Sequence, residues 1–367
     1  MYIHESAEWP WYRWNSEALA DQLASVRHQQ GRLIGRIESL GFQFREDAVL
    51  HTLTTDVLKS SEIEGERLNP EQVRSSIARR LGLDIGALTA VDRDVEGVVE
   101  MMLDATRNYS QPLTRERLFA WQSSLFPTGR SGMGRLKTGG WRDDLTGPMQ
   151  VVSGPIGRER VHYEAPAAAR VDREMAILLD WFESTPGLDH VMRAGVAHLW
   201  FVTIHPFADG NGRIARAIAD LALARSEQSS QRFYSMSAQI RLERNAYYDI
   251  LERTQKMTMD ITPWLQWFLG CLGRAIGNAQ TALAGVLAKA RFWELANREP
   301  INERQRKVLN RLLDGFEGKL TTTKYGKLAN CSQDTALRDI LELVQRNILV
   351  KSPESGRSTS YSLVPIE

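Results

Sequence analysis

Apolar residues recur along most of the chain at the three- and four-residue spacing of an amphipathic helix. Over 15–40, Leu19, Leu23, Val26, Leu33 and Ile37 keep that interval, and Asn15 or Ser16 supplies a cap. The same period predicts helices near 46–60, 70–82, 90–108, 114–125, 166–184, 190–204, 211–226, 241–256 and 261–295. One stretch breaks it. Residues 139–163, GGWRDDLTGPMQVVSGPIGRERVHY, are rich in Gly and turn formers, with a β-prone run at 149–152 and alternation around Val161 and Tyr163. This predicts a short hairpin set into a helical domain. After Pro300 the pattern becomes helices over 304–314, 323–330 and 333–346, then Ile348, Leu349 and Val350, a turn SPESGRSTS, and Tyr361, Ser362 and Leu363. Three helices followed by a two-stranded ribbon are the element order of a winged helix-turn-helix.

Composition narrows the classes. The chain has 367 residues, 43% apolar and 25% charged, with a formal net charge of +1, which predicts a folded protein without a global basic field for nucleic acid or anionic membrane. Cys271 and Cys331 are the only cysteines, so neither a disulfide framework nor a thiolate metal site is expected. The opening MYIHESAEWPWYRW has neither the basic stretch nor the apolar core of a signal peptide, and the apolar run 194–204 is too short to span a bilayer. The expected compartment is the cytoplasm, without a membrane partner. Trp9, Trp11, Tyr12 and Trp14 are expected to anchor the N-terminal segment against the first helices.

The chemistry concentrates in HPFADGNGRIAR, 205–216. An apolar helix runs into His205, and Pro206 stops it. Gly210, Asn211 and Gly212 then open a new helical pattern through Ile214, Ile218 and Leu221. A Gly-rich turn at a helix start presents unpaired N–H groups at the positive end of the helix dipole, which suits phosphate oxygens. Arg213 and Arg216 lie one turn apart and can approach the same anion. Asp209 is placed to hold a Mg²⁺ ion brought by a polyphosphate, and His205 titrates near neutrality, as a general base must.

At every defined position this segment resembles the Fic (filamentation) family motif, His-Pro-Phe-x-Asp/Glu-Gly-Asn-Gly-Arg-x-x-Arg. The resemblance implies a mainly α fold: a Fic-type helical bundle with a small β-hairpin flap, followed here by a C-terminal winged helix-turn-helix. It implies transfer of AMP from ATP to a Ser, Thr or Tyr hydroxyl of a target protein. His205 would take the hydroxyl proton, and Asp209 would place Mg²⁺ against the phosphates. Gly210, Asn211 and Gly212 would form the anion hole, with Arg213 and Arg216 on phosphates and Phe207 as a core anchor. The intact Gly-Asn-Gly separates the segment from the related Doc-type kinases. The hairpin resembles the family's target-docking flap, with Met149, Gln150, Val151, Val152, Ser153 and Gly154 as contacts. Tyr247, Tyr248 and Gln255 resemble the wall around the adenine and ribose.

Upstream, Ser60-Ser-Glu-Ile-Glu64-Gly65 places Ser60 and Glu64 on one helical face, with Gly65 able to end the helix. It resembles the family's inhibitory pattern Ser/Thr-x-x-x-Glu-Gly/Asn. By that resemblance Glu64 would pair with Arg216 and disfavour the productive ATP pose, and it would also support removal of AMP. The expected organisation is a Trp-rich module over 1–45, an inhibitory-helix region over 46–110, a catalytic core over 111–298 and the winged helix over 299–367. Relief of inhibition through a homodimer is a further implication of the resemblance. If the winged helix reads DNA, Gln333, Thr335 and Arg338 would face bases, with Lys351 and Arg357 near phosphates, yet Asp334, Asp339, Glu342 and Glu354 on the same elements would repel them. Two other readings stay open: a DNA-binding regulator whose Fic domain senses nucleotide, and transfer of phosphate or UMP in place of AMP.

Overall fold

The computed structural model describes all residues except 39–41, 87–88, 133, 146, 156, 185–186, 298, 314–315, 317, 353–358 and 365–367, and the side chains of 42–44, 286–287, 290 and 294 are also left aside. The order is α1 (Ser16–Glu38), α2 (Phe42–Ile63), α3 (Pro70–Leu81), α4 (Arg93–Arg107), α5 (Arg115–Leu125), β1 (Arg130–Ser131), β2 (Gly134–Arg135), β3 (Gln150–Ser153) and β4 (Arg160–Glu164). There follow α6 (Ala168–Ser184), α7 (His190–Ile204), α8 (Asn211–Glu227), α9 (Met236–Leu242), α10 (Arg244–Gln255), α11 (Thr262–Ala296), α12 (Glu303–Leu313), α13 (Thr322–Ala329), α14 (Gln333–Gln345), β5 (Leu349–Lys351) and β6 (Tyr361–Leu363). The chain divides into two units, Met1–Ala279 and Gln280–Glu367, with the boundary inside α11.

In the first unit α7 is the central element. Its sequence is apolar on every side, which is the pattern of a helix enclosed by others, and nearly all of it is buried. The Asp189 carboxylate accepts the Val191 N–H at 2.7 Å and caps its start. Helices α6 and α8 pack against it, and α4 packs against α8. The Trp264 indole donates to the Gly195 carbonyl at 2.8 Å, drawing α11 onto α7.

Helix α2 is held against α9: the Asp56 carboxylate accepts the Ser235 hydroxyl at 2.5 Å and the Ser237 N–H at 3.2 Å. This fixes where the C-terminal end of α2, and so Glu64, arrives. At the N-terminus Trp9 donates to Glu174 at 3.1 Å and stacks edge-on with Tyr12 and Trp200. Trp11 instead is exposed, so the expected aromatic anchor is made by its neighbours. Arg13 exchanges backbone hydrogen bonds with Met259 and Ile261, each 2.8 Å.

Two differences from the sequence expectation stand out. The helix expected over 241–256 is two, because the backbone breaks at Glu243 (φ −105°, ψ 27°) between α9 and α10. The small hairpin β1–β2 was not signalled, since a two-residue strand carries no periodicity.

The second unit has α12, α13 and α14 around a core that includes Val308, Leu309, Tyr325, Ile340, Leu343 and Leu349. Strands β5 and β6 pair antiparallel, Val350 opposite Ser362, as the helix–helix–helix–ribbon pattern predicts.

Candidate active site

The turn between α7 and α8 builds the site. His205 closes α7 in the left-handed conformation (φ +52°), its N–H donating to the Phe201 carbonyl at 2.9 Å. Arg142, itself buried, holds this conformation. Its Nε donates to the His205 carbonyl at 2.8 Å, its N–H to the Pro206 carbonyl at 2.9 Å, and its guanidinium also reaches the Pro166 carbonyl and Asp144. Nothing in the Gly-rich stretch around Arg142 signals this role, which depends on a contact 63 residues away in sequence.

Phe207 is fully buried among Phe119, Trp141 and Phe201, as an anchor would be. Asn211 has a different part from the one its motif position suggests. Its side chain accepts the Phe207 N–H at 2.9 Å and donates to the Phe207 carbonyl at 2.8 Å, so it staples the loop. Only its backbone is left to face an anion. Gly210 starts α8 at φ +87°, where a side chain would be strained and would press on Phe126 and Leu125.

Glu64 lies over the start of α8. A Cβ on Gly212 would stand 2.1 Å from Glu64 Oε1, so the carboxylate rests directly on that glycine. Glu64 Oε1 is also 2.8 Å from Arg216 Nη1. Ser60, four residues earlier, accepts from Arg216 through its hydroxyl at 2.9 Å and its carbonyl at 2.8 Å. Arg216 is 2% exposed, and the adjacent carboxylate raises its pKa against the effect of burial. The chain reverses at Gly65, just past α2.

One acid escaped the motif. Glu66 pairs with Arg213 at 2.5 Å, and burial raises its carboxyl despite that cation. The Arg213 guanidinium also lies 5.1 Å above the Phe126 ring. Both arginines of the HPFADGNGRIAR segment are therefore paired with acids from a single turn.

A cavity of about 450 Å³ opens here, lined by Glu64, His205, Gly212, the flap residues Val151, Val152 and Ser153, and Tyr247, Tyr248 and Gln255. The structure thus brings together segments up to about 190 residues apart. Within the wall, the Tyr247 hydroxyl is engaged by His198 at 2.9 Å, and the Gln255 amide by the Thr203 hydroxyl at 3.3 Å. The Tyr248 hydroxyl donates to the Ile63 carbonyl at 3.3 Å, and its ring carries Arg244 on one face.

The flap is β3–β4, with Val151 opposite Tyr163 and Ser153 opposite Arg160. Tyr163 donates to the Thr203 carbonyl at 2.7 Å and ties the flap to the end of α7. Met149 precedes β3 and its carbonyl accepts from Ala165; Gln150 is exposed, and Gly154 turns out of the strand at φ +105°. Among the described residues β3 pairs only with β4.

Asp209 accepts the Gly210 N–H at 2.6 Å and the Ser131 hydroxyl at 2.5 Å. Among the described residues no group of three or more His, Cys, Asp or Glu side chains forms a cage for a metal. A single oriented carboxylate beside an open helix start could hold Mg²⁺, which binds proteins through one or two carboxylates and takes its remaining ligands from phosphate and water.

His205 is neutral in this setting. Burial pushes its imidazole down to about 4, and Arg142 adds to the fall. Its Nδ1 lies 3.3 Å from the Val202 carbonyl, which can only accept, so the proton sits on Nδ1 and Nε2 keeps its lone pair. His198 is lowered to about 3 and His4 to about 4, both chiefly by burial.

A folded pKa below the unfolded value means that the unfolded chain binds more protons as pH falls. Stability from these groups is therefore complete above about pH 6.5 and is lost on acidification towards pH 4. The melting temperature is expected to fall steadily from pH 7 to pH 4.5, and less steeply in His198→Gln. A flat profile would contradict the burial of these imidazoles.

Residues 112–223 match the model of the Fic/DOC family. The chain carries a Fic/DOC-family domain. Residues 2–83 match a domain of unknown function, DUF4172. The Fic domain contains His205, Asp209, Arg213 and Arg216, whereas Glu64 and Glu66 lie in the DUF4172 match. Protein adenylyltransferase fic-1 of Caenorhabditis briggsae is 46% identical over 55 residues, 14% of this chain and 11% of that protein. Protein adenylyltransferase Fic of Aedes aegypti is 26% identical over 227 residues, 60% of this chain and 40% of that protein. The chain thus spans well under half the length of these relatives.

In solved structures, the fold is similar to a Fic family protein from Desulfovibrio desulfuricans (TM-score 0.51, 21% identity, 94% of this chain and 97% of that one). It is also similar to a Fic domain containing signaling protein from Bacteroides thetaiotaomicron (TM-score 0.53, 20% identity, 71% and 97%).

The second unit offers a separate surface. Gln333, Arg338 and Lys351 are exposed and Thr335 is half-buried, while Glu354 and Arg357 lie outside the described residues. Asp339, expected to repel phosphate, is buried and paired with Arg304 at 3.0 Å and with the Tyr325 hydroxyl at 3.2 Å. Leu337 and Leu341 stand exposed on the same helix. Among the described residues no helix is long and apolar enough to cross a membrane.

Proposed function

We infer that this protein is an autoinhibited protein adenylyltransferase, moving AMP from ATP to a Ser, Thr or Tyr hydroxyl of a target protein. The observation that carries the reading is the Glu64–Arg216 pair lying on Gly212, in the cavity that also holds His205. A helix start, two arginines and a neutral imidazole suit a polyphosphate next to a base. A carboxylate on that same ground competes with the phosphate by like charge. The relatives named protein adenylyltransferase support the direction of transfer.

The target segment would add to the free edge of β3, which sets its hydroxyl by backbone pairing and tolerates varied side chains. His205 Nε2 would take the hydroxyl proton as the oxygen attacks the α-phosphorus. The bond to the β-phosphate oxygen then breaks, and pyrophosphate departs. Arg213 and Arg216 would hold phosphate oxygens once released from Glu66 and Glu64. Asp209, oriented by Ser131 and Gly210, would hold Mg²⁺, which when bound offsets the charge gathering on the leaving phosphates.

The test uses full-length Glu64→Gly protein, α-labelled ATP, Mg²⁺ and a host lysate. Labelled protein bands stronger than those given by wild type are expected. No labelling by either protein, together with a salt-dependent shift of duplex DNA, would favour a nucleotide-sensing DNA-binding regulator instead.

A further inference from the structure

In the cavity that His205 also lines, three side chains from β3, β4 and α10 form a second chain of hydrogen bonds. The Ser153 hydroxyl lies 2.6 Å from His162 Nε2, and His162 Nδ1 lies 2.6 Å from Glu252 Oε2. The other oxygen of Glu252 is held by Arg160 at 3.0 Å and Lys256 at 2.7 Å. These cations and the imidazole keep the carboxyl down at about 2, so Glu252 is an anion throughout the physiological range.

A hydroxyl, an imidazole and a carboxylate in this order form the nucleophile–base–orienter arrangement that activates serine in unrelated folds. Glu252, as an acceptor, fixes the imidazole proton on Nδ1, and Nε2 then faces the hydroxyl as acceptor. A brace between flap and helix would need only the His162–Glu252 pair. The serine at its end adds an activated oxygen. Ser153 and Gly212, where the phosphates would sit, line the same cavity of about 450 Å³.

We propose that Ser153 is an acceptor of the nucleotidyl group, a self-modification site on the flap with its own base. The proposal rests on the AMP-transfer reading above. Ser153 Oγ attacks the α-phosphorus of bound ATP, the Oγ–P bond forms, the bond from the α-phosphorus to the β-phosphate bridging oxygen breaks, and pyrophosphate leaves. The hydroxyl proton passes to His162 Nε2, and Glu252 steadies the resulting imidazolium. AMP on Ser153 would then stand at the strand edge where a target must pair, so the modification limits further transfer.

The experiment incubates full-length Glu64→Gly protein with α-labelled ATP and Mg²⁺, alone and with host lysate, followed by digestion and mapping of the label. The chain incubated alone is expected to carry one nucleotidyl group on the peptide containing Ser153. In Ser153→Ala and His162→Gln, both in the Glu64→Gly background, chain labelling is expected to fall at least about tenfold. Ser153→Thr is expected to retain part of it. Ser153 is exposed and His162 half-buried, and unchanged melting curves establish that the variants fold. Label mapping elsewhere on the chain, or undiminished in Ser153→Ala or His162→Gln, overturns the proposal. So does label on lysate proteins but none on the chain; in each case AMP transfer still stands. No label on chain or lysate overturns the AMP-transfer reading and this proposal together.

Discussion

Glu64→Gly protein is expected to melt well below wild type and to recover most of the difference when ATP and Mg²⁺ are added. Removing Glu64 takes the ion-pair partner from the Arg216 guanidinium, which is 2% exposed, and leaves the hydroxyl and carbonyl of Ser60 accepting from its Nε and Nη2. Stranding one partner of a fully buried pair costs about 3–5 kcal/mol. Because the Glu64 side chain is 30% exposed, water already screens the pair, and a loss of about 1–3 kcal/mol is the better expectation.

The same substitution clears Gly212 and the Nη1 side of Arg216 for phosphate. A ligand that binds only the folded state stabilises it by the logarithm of its occupancy, about 2.7 kcal/mol at a hundredfold excess over Kd. Wild type, whose cation is already engaged, is expected to gain much less from ATP. Scanning calorimetry of both proteins with and without ATP·Mg²⁺ measures this. Equal ATP-induced shifts in the two would show that Glu64 and phosphate do not compete.

The second large effect concerns chemistry alone. In the Glu64→Gly background, His205→Ala is expected to lower transfer onto lysate proteins by roughly 10²- to 10⁴-fold, the usual worth of a positioned general base. Affinity for ATP is expected to change little, because in the proposed reading the phosphates are held by the start of α8 and by Arg213 and Arg216. Titration calorimetry and label incorporation separate the two. A parallel collapse in binding would mean that His205 acts by holding the turn. The Arg142 bonds to the His205 and Pro206 carbonyls argue against that, since they brace the backbone whatever side chain is present.

What the sequence disclosed was what is local to it. Most helices follow the 3.6-residue period, and the site turn is contiguous, so its proline, glycines and flanking charges are read in order. Glu64 was legible because Ser60 and Gly65 frame it within six residues.

The residues that were missed act across the fold. Arg142, Ser131, His162 and Glu252 take their meaning from partners 63, 78, 90 and 90 residues away, and no spacing rule reaches that far. Glu66 is different. It sits two residues from Glu64, but only the turn after α2 brings both acids to face α8, and a helical reading would have sent them to opposite sides. Asn211 shows the converse: its place in the motif suggests an anion ligand, and its buried side chain is a loop staple.

The central claim is that Glu64 withholds Arg216 from the nucleotide of an AMP-transferring site. Its most direct measurement runs wild type and Glu64→Gly side by side in host lysate, once with α-labelled and once with γ-labelled ATP. The account predicts α-label on protein, at least about tenfold stronger with Glu64→Gly, a modest return for the differential energy of one partly buried ion pair. It predicts no γ-label above background. Equal α-labelling by the two proteins, or label from the γ-position, would contradict it.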